Sequence, residues 1–147
     1  MDFDNPPPEP LASAPGFLLS WHGRRTAEGF ARALDPLGMR PPQFGLMQLI
    51  DAHPGLTQRQ LVSRSLIDPS SMVAVIDELQ ERGLVERRRH PSDRRSHAVH
   101  ITAKGRRTLE RARKVANDFA EQILAPLSAD ERETLRVLLR KLAGIED

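Results

Sequence analysis

The chain has 147 residues, no cysteine, 29% charged residues and a formal net charge of +2. This length is typical of one domain whose core needs no disulfide. The lack of cysteine excludes disulfides and thiolate metal sites, and it favours a reducing compartment. No apolar run reaches the roughly 18 residues of a membrane span, and the N-terminus lacks the basic and apolar regions of a signal peptide. We therefore expect a cytoplasmic protein with no membrane partner.

The positive charge is concentrated in one part of the chain. Between Arg82 and Lys114 there are twelve lysines and arginines against three acids, whereas acids lie near both termini. Such a concentration is typical of a surface that binds a polyanion. It is equally typical of a solvated basic face, and charge alone does not decide between them.

The first third of the chain predicts an arm and two helices. Residues 1–15 contain five prolines and no apolar period, which predicts a disordered or extended arm. Apolar residues recur at helical spacing from Gly16 to Leu34, and Pro36 and Gly38 end that helix. A second, nearly all-buried helix begins at Pro41 and stops at His53.

The middle of the chain predicts a helix–turn–helix. Thr57 with Gln60 forms a capping box for a short helix that ends near Ser65. Asp68 then caps a helix that has Pro69 at its first position and ends at Arg82. The expected inward residues of this second helix are Met72, Val73, Ile76 and Leu79. The expected outward residues are Ser70, Ser71, Ala74, Val75 and Glu78.

The remainder predicts a hairpin followed by two helices. Residues 84–90 and 96–101 are β-like and are joined by a turn at 91–95, and a further short strand is compatible with the residues near Leu56. Thr102 begins a long basic helix over about 103–125. Ser128 and Glu131 form a capping box for a last helix ending near Leu142. The predicted fold is mainly α with a small β-hairpin wing.

The helix at 69–82 and the hairpin together favour DNA binding. Serine hydroxyls can donate or accept at base edges, and an alanine methyl can contact a thymine methyl, so Ser70, Ser71 and Ala74 suit the major groove. Arg94 and Arg95 at the turn, with Arg88 and its neighbours on the incoming strand, suit phosphates or a narrow minor groove. An ordinary amphipathic helix and a solvated hairpin tip are the alternatives.

Three local patterns in this segment resemble the winged helix of the multiple antibiotic resistance regulator (MarR) family. They are the helix opening at 69–71 with its end at 77–85, the turn 91–95 and the stretch 101–105. The wing signature Asp-x-Arg of that family falls on Asp93 and Arg95. The stretch from 37–39 to 43–44 resembles the link into the second helix of that family. The similarity extends over about residues 17–143.

The resemblance implies a homodimeric transcriptional regulator, most simply a repressor, that binds a pseudo-palindromic operator in double-stranded DNA. Residues 16–40 and 104–147 are then dimerisation helices around a winged helix-turn-helix at 41–103. The implied DNA-binding residues are Ser70, Ser71, Ala74, Arg88, Asp93, Arg94 and Arg95. One departure is that many members carry arginine, lysine or threonine at the exposed middle of the recognition helix, where this chain has Ala74 and Val75.

The family also implies a small aromatic or phenolic effector that lowers DNA affinity. Trp21 with His22 and Arg25 offers a stacking ring beside a cation, which suits a planar anion. The alternative is that Trp21 belongs to a dimer core. No metal site is expected at His90, Asp93, His97 and His100, because strand residues 97 and 100 point to opposite faces. No cofactor motif or catalytic constellation is present, so an enzyme is not expected.

A second class of function remains open from the sequence. Winged folds also serve as protein-interaction or dimerisation modules without sequence-specific DNA binding. The arginines at the hairpin turn favour DNA, since the core of a protein interface is depleted in charge.

Overall fold

A computed structural model describes residues 5–146 and contains six α-helices and one two-stranded antiparallel sheet within that range. The predicted order of elements is confirmed. The helices are α1 (Pro15–Leu34), α2 (Pro41–Ala52), α3 (Gln58–Arg64), α4 (Pro69–Glu81), α5 (Ala103–Ile123) and α6 (Ala129–Leu142). The strands are β1 (Val85–Arg89) and β2 (His97–Ile101), and 3₁₀ turns occupy Leu11–Ser13 and Asp35–Leu37.

Side-chain caps set the starts of four helices, as the sequence predicts. The Thr57 hydroxyl accepts from the Gln60 amide while the Gln60 side chain accepts from the Thr57 amide. Ser128 and Glu131 make the same reciprocal pair at α6, and Asp68 and Thr102 cap α4 and α5. These bonds satisfy amides that the first turn of a helix leaves without a partner.

The hairpin is anchored to the end of α4. Gly83 ends that helix with φ of +72°, a conformation that favours glycine. The strands then pair in register from Val85 opposite Ile101 to Arg89 opposite His97. At the base of the hairpin the Thr102 hydroxyl donates to the Gly83 carbonyl at 2.6 Å. The Val99 amide donates to the Leu56 carbonyl, which confirms a short β contact near Leu56.

The hydrophobic core lies between α2, α4, the hairpin and α5, and α1 closes it from one side. Its members include Leu34, Met47, Ile50, Leu61, Met72, Ile76, Leu79, Val99 and Leu109. Phe30 of α1 stacks on Phe119 of α5 with ring centroids 5.9 Å apart, and it meets Phe44 edge-on. A β-carbon at Gly29 would lie 2.8 Å from the Phe119 ring, so the absence of a side chain there permits the close approach of α1 to α5.

Two predictions about the elements are wrong. Val75 is buried and Val73 is 45% exposed, the reverse of the expected order. Either valine can be added to Met72, Ile76 and Leu79 to give a set with steps of three and four residues. Helical periodicity therefore does not show which valine is buried. The predicted arm at residues 1–15 is also not extended throughout, since Leu11–Ser13 form a 3₁₀ turn and Pro15 already belongs to α1. Residues 1–4 lie outside the described residues.

Helix α6 is the least integrated element of the described chain. None of its residues is buried. The large apolar side chains left exposed on it and just after it are Val137, Leu138, Leu139, Leu142 and Ile145. No helix in residues 5–146 combines the length and apolar character required to cross a membrane.

Candidate nucleic-acid interface

The solvent-facing side of α4 is apolar and hydroxylic near its start and acidic further along. Ser70, Ser71, Val73 and Ala74 are exposed. The acids that follow are held by cations from other elements. Arg87 of β1 contacts Asp77 at 2.6 Å, and Arg40, which precedes α2, contacts Glu78 at 2.6 Å. These pairs offset the negative charge of α4 and also fix its orientation.

Ser70 and Ser71 both form hydrogen bonds with Asp68, the residue that caps α4. The hydroxyls of Ser70 and Ser71 both donate to the carboxylate of Asp68, and the Ser71 amide donates to it as well. The hydrogen bonds from Ser70 and then Ser71 lower the pKa of Asp68 from 3.8 to about 2. The carboxylate therefore stays ionised at neutral pH and keeps both hydroxyl protons turned toward itself.

The C-terminal end of α4 is tied to the connection between α1 and α2. The Arg82 guanidinium donates to the Gly38 carbonyl at 2.6 Å and to the Leu37 carbonyl at 3.0 Å. Lys104 of α5 donates to the Arg82 carbonyl at 2.9 Å. These contacts hold the C-terminal half of α4 against the α1–α2 connection and the start of α5.

The arginines of the hairpin divide into two groups. The side chain of Arg87 is only 20% exposed and is bonded to Asp77 and Gln80, and Arg88 pairs with Glu86. The guanidinium groups of Arg89, Arg94 and Arg95 have no hydrogen bond or ion pair with any described residue. Arg87 therefore has a structural partner, which the sequence does not reveal because Asp77 lies beside it only after α4 and β1 pack together.

Asp93 shapes the turn that carries the free arginines. Its carboxylate accepts from the Arg95 amide at 2.9 Å and from the Ser96 hydroxyl at 2.8 Å. The bond from the Arg95 amide, followed by that from Ser96, lowers the pKa of Asp93. An ionised carboxylate would be repelled by phosphate, so this geometry supports a positioning role for Asp93 and places Arg94 and Arg95 at the tip.

The structure brings Trp21, His22 and Arg25 together on α1. The His22 ring lies edge-on to the indole at 4.7 Å, and the Arg25 guanidinium lies 5.4 Å from the centre of the indole ring. Trp21 is only 9% exposed within a single chain. A ligand at this position would therefore meet mainly the more exposed His22 and Arg25.

A separate cavity of about 780 Å³ opens between α2, the segment before α4, and α5. Its apolar lining includes Pro42, Leu46, Leu49, Leu66 and Ile67, and its polar lining comprises Gln48, Arg64, Ser65 and Arg113. This volume falls in the range of small-molecule pockets. None of Trp21, His22 and Arg25 lines it. The sequence did not predict the cavity, since three segments distant along the chain form it.

Two further residues qualify for the interface, although neither is among the DNA-binding residues that the sequence analysis names. Val73 was assigned to the core, and its exposure depends on how α4 packs. Arg89 ends β1 next to the turn, and the period-two alternation of the strand does not reveal that it alone of Arg87–Arg89 lacks an acidic partner. For Arg88 the sequence does contain a signal of pairing, because the acid Glu86 lies two positions before it on the same strand.

Comparison with known proteins places this geometry in a family. A winged helix with an exposed reading helix and a cationic hairpin defines a class of nucleic-acid-binding domain. The model of the MarR family matches residues 37–96. A transcriptional regulatory protein for the hcr operon of Thauera aromatica is 37% identical over 129 residues, which covers 84% of this chain and 78% of that protein. The chain belongs to the MarR family.

Solved structures agree with this assignment. The transcriptional repressor CouR bound to a 23-mer DNA duplex superimposes with a TM-score of 0.84 at 35% identity, covering 95% of this chain and 99% of CouR. CouR bound to p-coumaroyl-CoA superimposes with a TM-score of 0.78 at 31% identity, covering 95% and 98% of the two chains. The predicted mainly α fold with a hairpin wing is thereby confirmed.

Proposed function

We propose that this chain is a homodimeric, sequence-specific DNA-binding transcriptional repressor that acts on a pseudo-palindromic operator. The observation that carries the proposal is the pairing of an exposed α4 face with a hairpin that has three arginines, one at the end of β1 and two in the turn, without partners among the described residues. In such a fold α4 enters the major groove while the hairpin reaches the adjacent backbone or minor groove. The DNA complex of the similar repressor CouR supports this arrangement.

The side chains suggest different roles in DNA binding for α4 and the hairpin. Ser70, Ser71 and Ala74 of α4 face base edges, and Arg94 and Arg95 supply most of the contacts to the DNA backbone. Arg88 adds less, because Glu86 already pairs with it. Asp93 holds the turn. An arginine on a phosphate gives affinity that is independent of sequence and sensitive to salt.

The proposed dimer rests on α6. An amphipathic helix with no buried residue and several exposed leucines is unstable unless another surface covers those leucines. The occupant we propose is a second copy of the chain, with α1 and α5 beside α6 in the same interface. Twofold symmetry then places two α4 helices at successive major grooves, about 10 bp apart.

The alternative function, a winged module that binds only proteins, requires a different surface. Its interface would be expected to exclude unpaired charge. The partnerless guanidinium groups of Arg89, Arg94 and Arg95 favour DNA over that alternative.

The test of DNA binding uses the full chain and DNA from its own promoter region. We expect a retarded complex at physiological salt, and an affinity for one segment that exceeds that for unrelated duplex by at least about a thousandfold. Equal affinity for all duplexes would contradict sequence-specific regulation. The complete absence of a complex would favour the protein-interaction alternative.

We further propose that a planar aromatic acid, or a thioester of one, lowers the DNA affinity. CouR has been captured with p-coumaroyl-CoA, which supports this class of ligand. The proposed contacts are Trp21, His22 and Arg25, and the cavity beside α2 is the second candidate. A coupling of about 5- to 150-fold is usual between two such sites.

The single tryptophan makes the effector proposal measurable. Phenolic acids and their thioesters are titrated while Trp21 fluorescence is followed, and the DNA shift is repeated with each compound. We expect compounds that release DNA to change the emission. Release of DNA by a compound that leaves Trp21 emission unchanged, with a normal response of Trp21→Phe, would assign the ligand to the cavity instead.

A further inference from the structure

We propose that α4 reads its half-site through thymine methyl groups and base amino groups, with Val73 as the specificity-determining residue, and makes no contact with guanine edges. The inference rests on the proposed function, since it requires α4 to enter the major groove. It specifies which base edges the helix selects, and so predicts the chemistry of the operator.

Val73 is the main observation. Its side chain is 45% exposed although it is large and apolar, and it follows Ser70 by three residues on the same side of α4. A β-branched side chain in a helix keeps essentially one rotamer, so both methyl groups have fixed positions. The Ala74 methyl lies beside it. In the major groove only thymine presents a methyl group, and apolar contact with it distinguishes thymine from the other bases.

The serines contribute acceptors. A hydroxyl has one proton and two lone pairs, and the protons of Ser70 and Ser71 are directed to Asp68. The remaining lone pairs point away from that bond and can accept a hydrogen bond. The base groups that donate in the major groove are the amino groups of adenine and cytosine. A T·A pair therefore satisfies both kinds of group on α4.

Guanine finds no cationic partner on this helix. Its major-groove edge has two acceptors, which arginine or lysine ordinarily contacts. The sequence of α4 contains three acids and no lysine, arginine or histidine. The nearest cations from other elements, Arg40 and Arg87, are bound to Glu78 and Asp77.

The test begins with a duplex enriched from a random-sequence pool by the full-length protein. In a series of duplexes, deoxyuridine, which lacks only the methyl group, then replaces thymidine at one position. Each duplex carries the replacement at the equivalent position of both half-sites. In parallel, 7-deazaguanine replaces guanine throughout the half-sites and removes the N7 acceptor. For the wild type we expect about a tenfold loss of affinity at one or two thymine positions. Each lost methyl group weakens binding roughly threefold, and each duplex loses one methyl group in each half-site. We expect no loss with 7-deazaguanine.

Protein variants connect the methyl effect to the residue. Val73→Ala should bind the thymine duplex more weakly and the uracil duplex as the wild type does, so that the uracil penalty disappears. Leu11→Ala is the matched control, because Leu11 is a large apolar residue of similar exposure, 43%, that lies outside α4. It should retain the whole penalty. Circular dichroism of both variants verifies that the helices are intact.

The outcomes separate the two proposals. A wild type that binds uracil and thymine duplexes equally, a Val73→Ala variant that keeps the penalty, or a loss caused by 7-deazaguanine would each overturn the methyl reading while leaving DNA binding in place. Failure to enrich any duplex would overturn the proposed function itself and this inference with it.

Discussion

Arginines that look alike in the sequence have different environments in the fold. Arg87 joins β1 to α4, Arg88 pairs with a neighbouring glutamate, and Arg95 extends from a turn that Asp93 holds. A cation that already has an acidic partner gains little from a phosphate, because the existing pair must first be broken or shared. The proposed contribution of each arginine to DNA affinity therefore depends on its local partners.

The first prediction concerns the wing. Arg95→Ala should weaken binding to every duplex and reduce the slope of log affinity against log salt by about one unit, as expected for one lost phosphate contact. If Arg95 enters a narrow minor groove, the loss should be larger when A·T pairs flank the site. Fluorescence anisotropy titrations at several salt concentrations measure both effects.

Arg88→Ala provides the control for that prediction. It removes a positive charge from the same hairpin, but one that is paired with Glu86. Its effect on the salt slope should be clearly smaller. Equal slopes for the two variants would show that ion pairing within the hairpin does not govern DNA affinity.

The second prediction concerns Gly105. A β-carbon at this position would lie 1.9 Å from the carbonyl oxygen of Leu84, which belongs to the backbone and cannot rotate away. Gly105→Ala should therefore reduce the free energy of unfolding by about 1–3 kcal/mol or more. Gly45→Ala, where a β-carbon meets nothing within 4 Å, should instead stabilise α2 by roughly 0.5–1 kcal/mol. Urea unfolding at one fixed protein concentration compares them, and destabilisation by both would refute the steric explanation.

At the scale of elements, α2 and α5 are joined by two partly exposed ion pairs that share Asp51. Asp51 near the end of α2 accepts from Arg113 at 3.1 Å and from Arg106 at 3.4 Å. The hydrogen bond from Arg113 lowers the pKa of Asp51, opposed by partial desolvation and aided by Arg106. This pair lies on the side of α5 that meets the winged region, so it helps to hold the long helix against α2.

The third prediction follows from that pair. Because the pKa of Asp51 is lower in the folded chain than its ordinary value of 3.8, its ionisation adds stability above that pH, and the gain is lost as pH falls through the folded pKa. Asp51→Asn should be less stable than the wild type at pH 7, and the difference should shrink as pH falls below about 4. Urea unfolding from pH 3 to 8 measures it.

Asp118→Asn is the matched control for the pH series. Asp118 forms an exposed pair with Lys114 on the same helix. Exposed pairs of this kind contribute little to stability. The control should track the wild type across the pH range. A pH-independent deficit for Asp51→Asn would contradict the electrostatic explanation.

The order of elements was predictable because local signals agreed with one another. The capping pairs at Thr57 and Ser128, the proline at the start of α4 and Gly83 at its end each depend on residues within a few positions. The inward face of α4 was not predictable, since Val73 and Val75 fit the same period. The partners of Arg87 and the lining of the cavity were also hidden, because they depend on contacts between distant segments.

At the scale of the whole molecule, the apolar side of α6 is left exposed in the described chain. A second copy that covers it would bury Leu138 and Leu142 of both chains, and apolar burial contributes roughly 25 cal/mol for each Å² removed from water. The fourth prediction is that Leu138→Ser with Leu142→Ser makes the protein monomeric at micromolar concentration. Sedimentation velocity measures this, and operator affinity should fall because only one α4 can engage.

Glu133→Ser is the control for this pair of substitutions. Glu133 lies on α6 away from Leu138 by the helical period and forms an exposed pair with Arg136. It should sediment as the wild type does. A double serine variant that also sediments as the wild type would remove α6 from the interface.

The solitary position of α6 has a consequence for the amount of regulator in a cell. In the proposed dimer α6 gains its stability from a second copy, so it would be frayed in newly made chains until they meet, and frayed apolar segments are preferred substrates of proteases. Chains present below the dimerisation constant would be degraded faster than paired ones. Because unpaired chains are degraded faster, the concentration of dimer would rise more steeply than the rate of synthesis. Repression would then begin over a narrow range of expression levels.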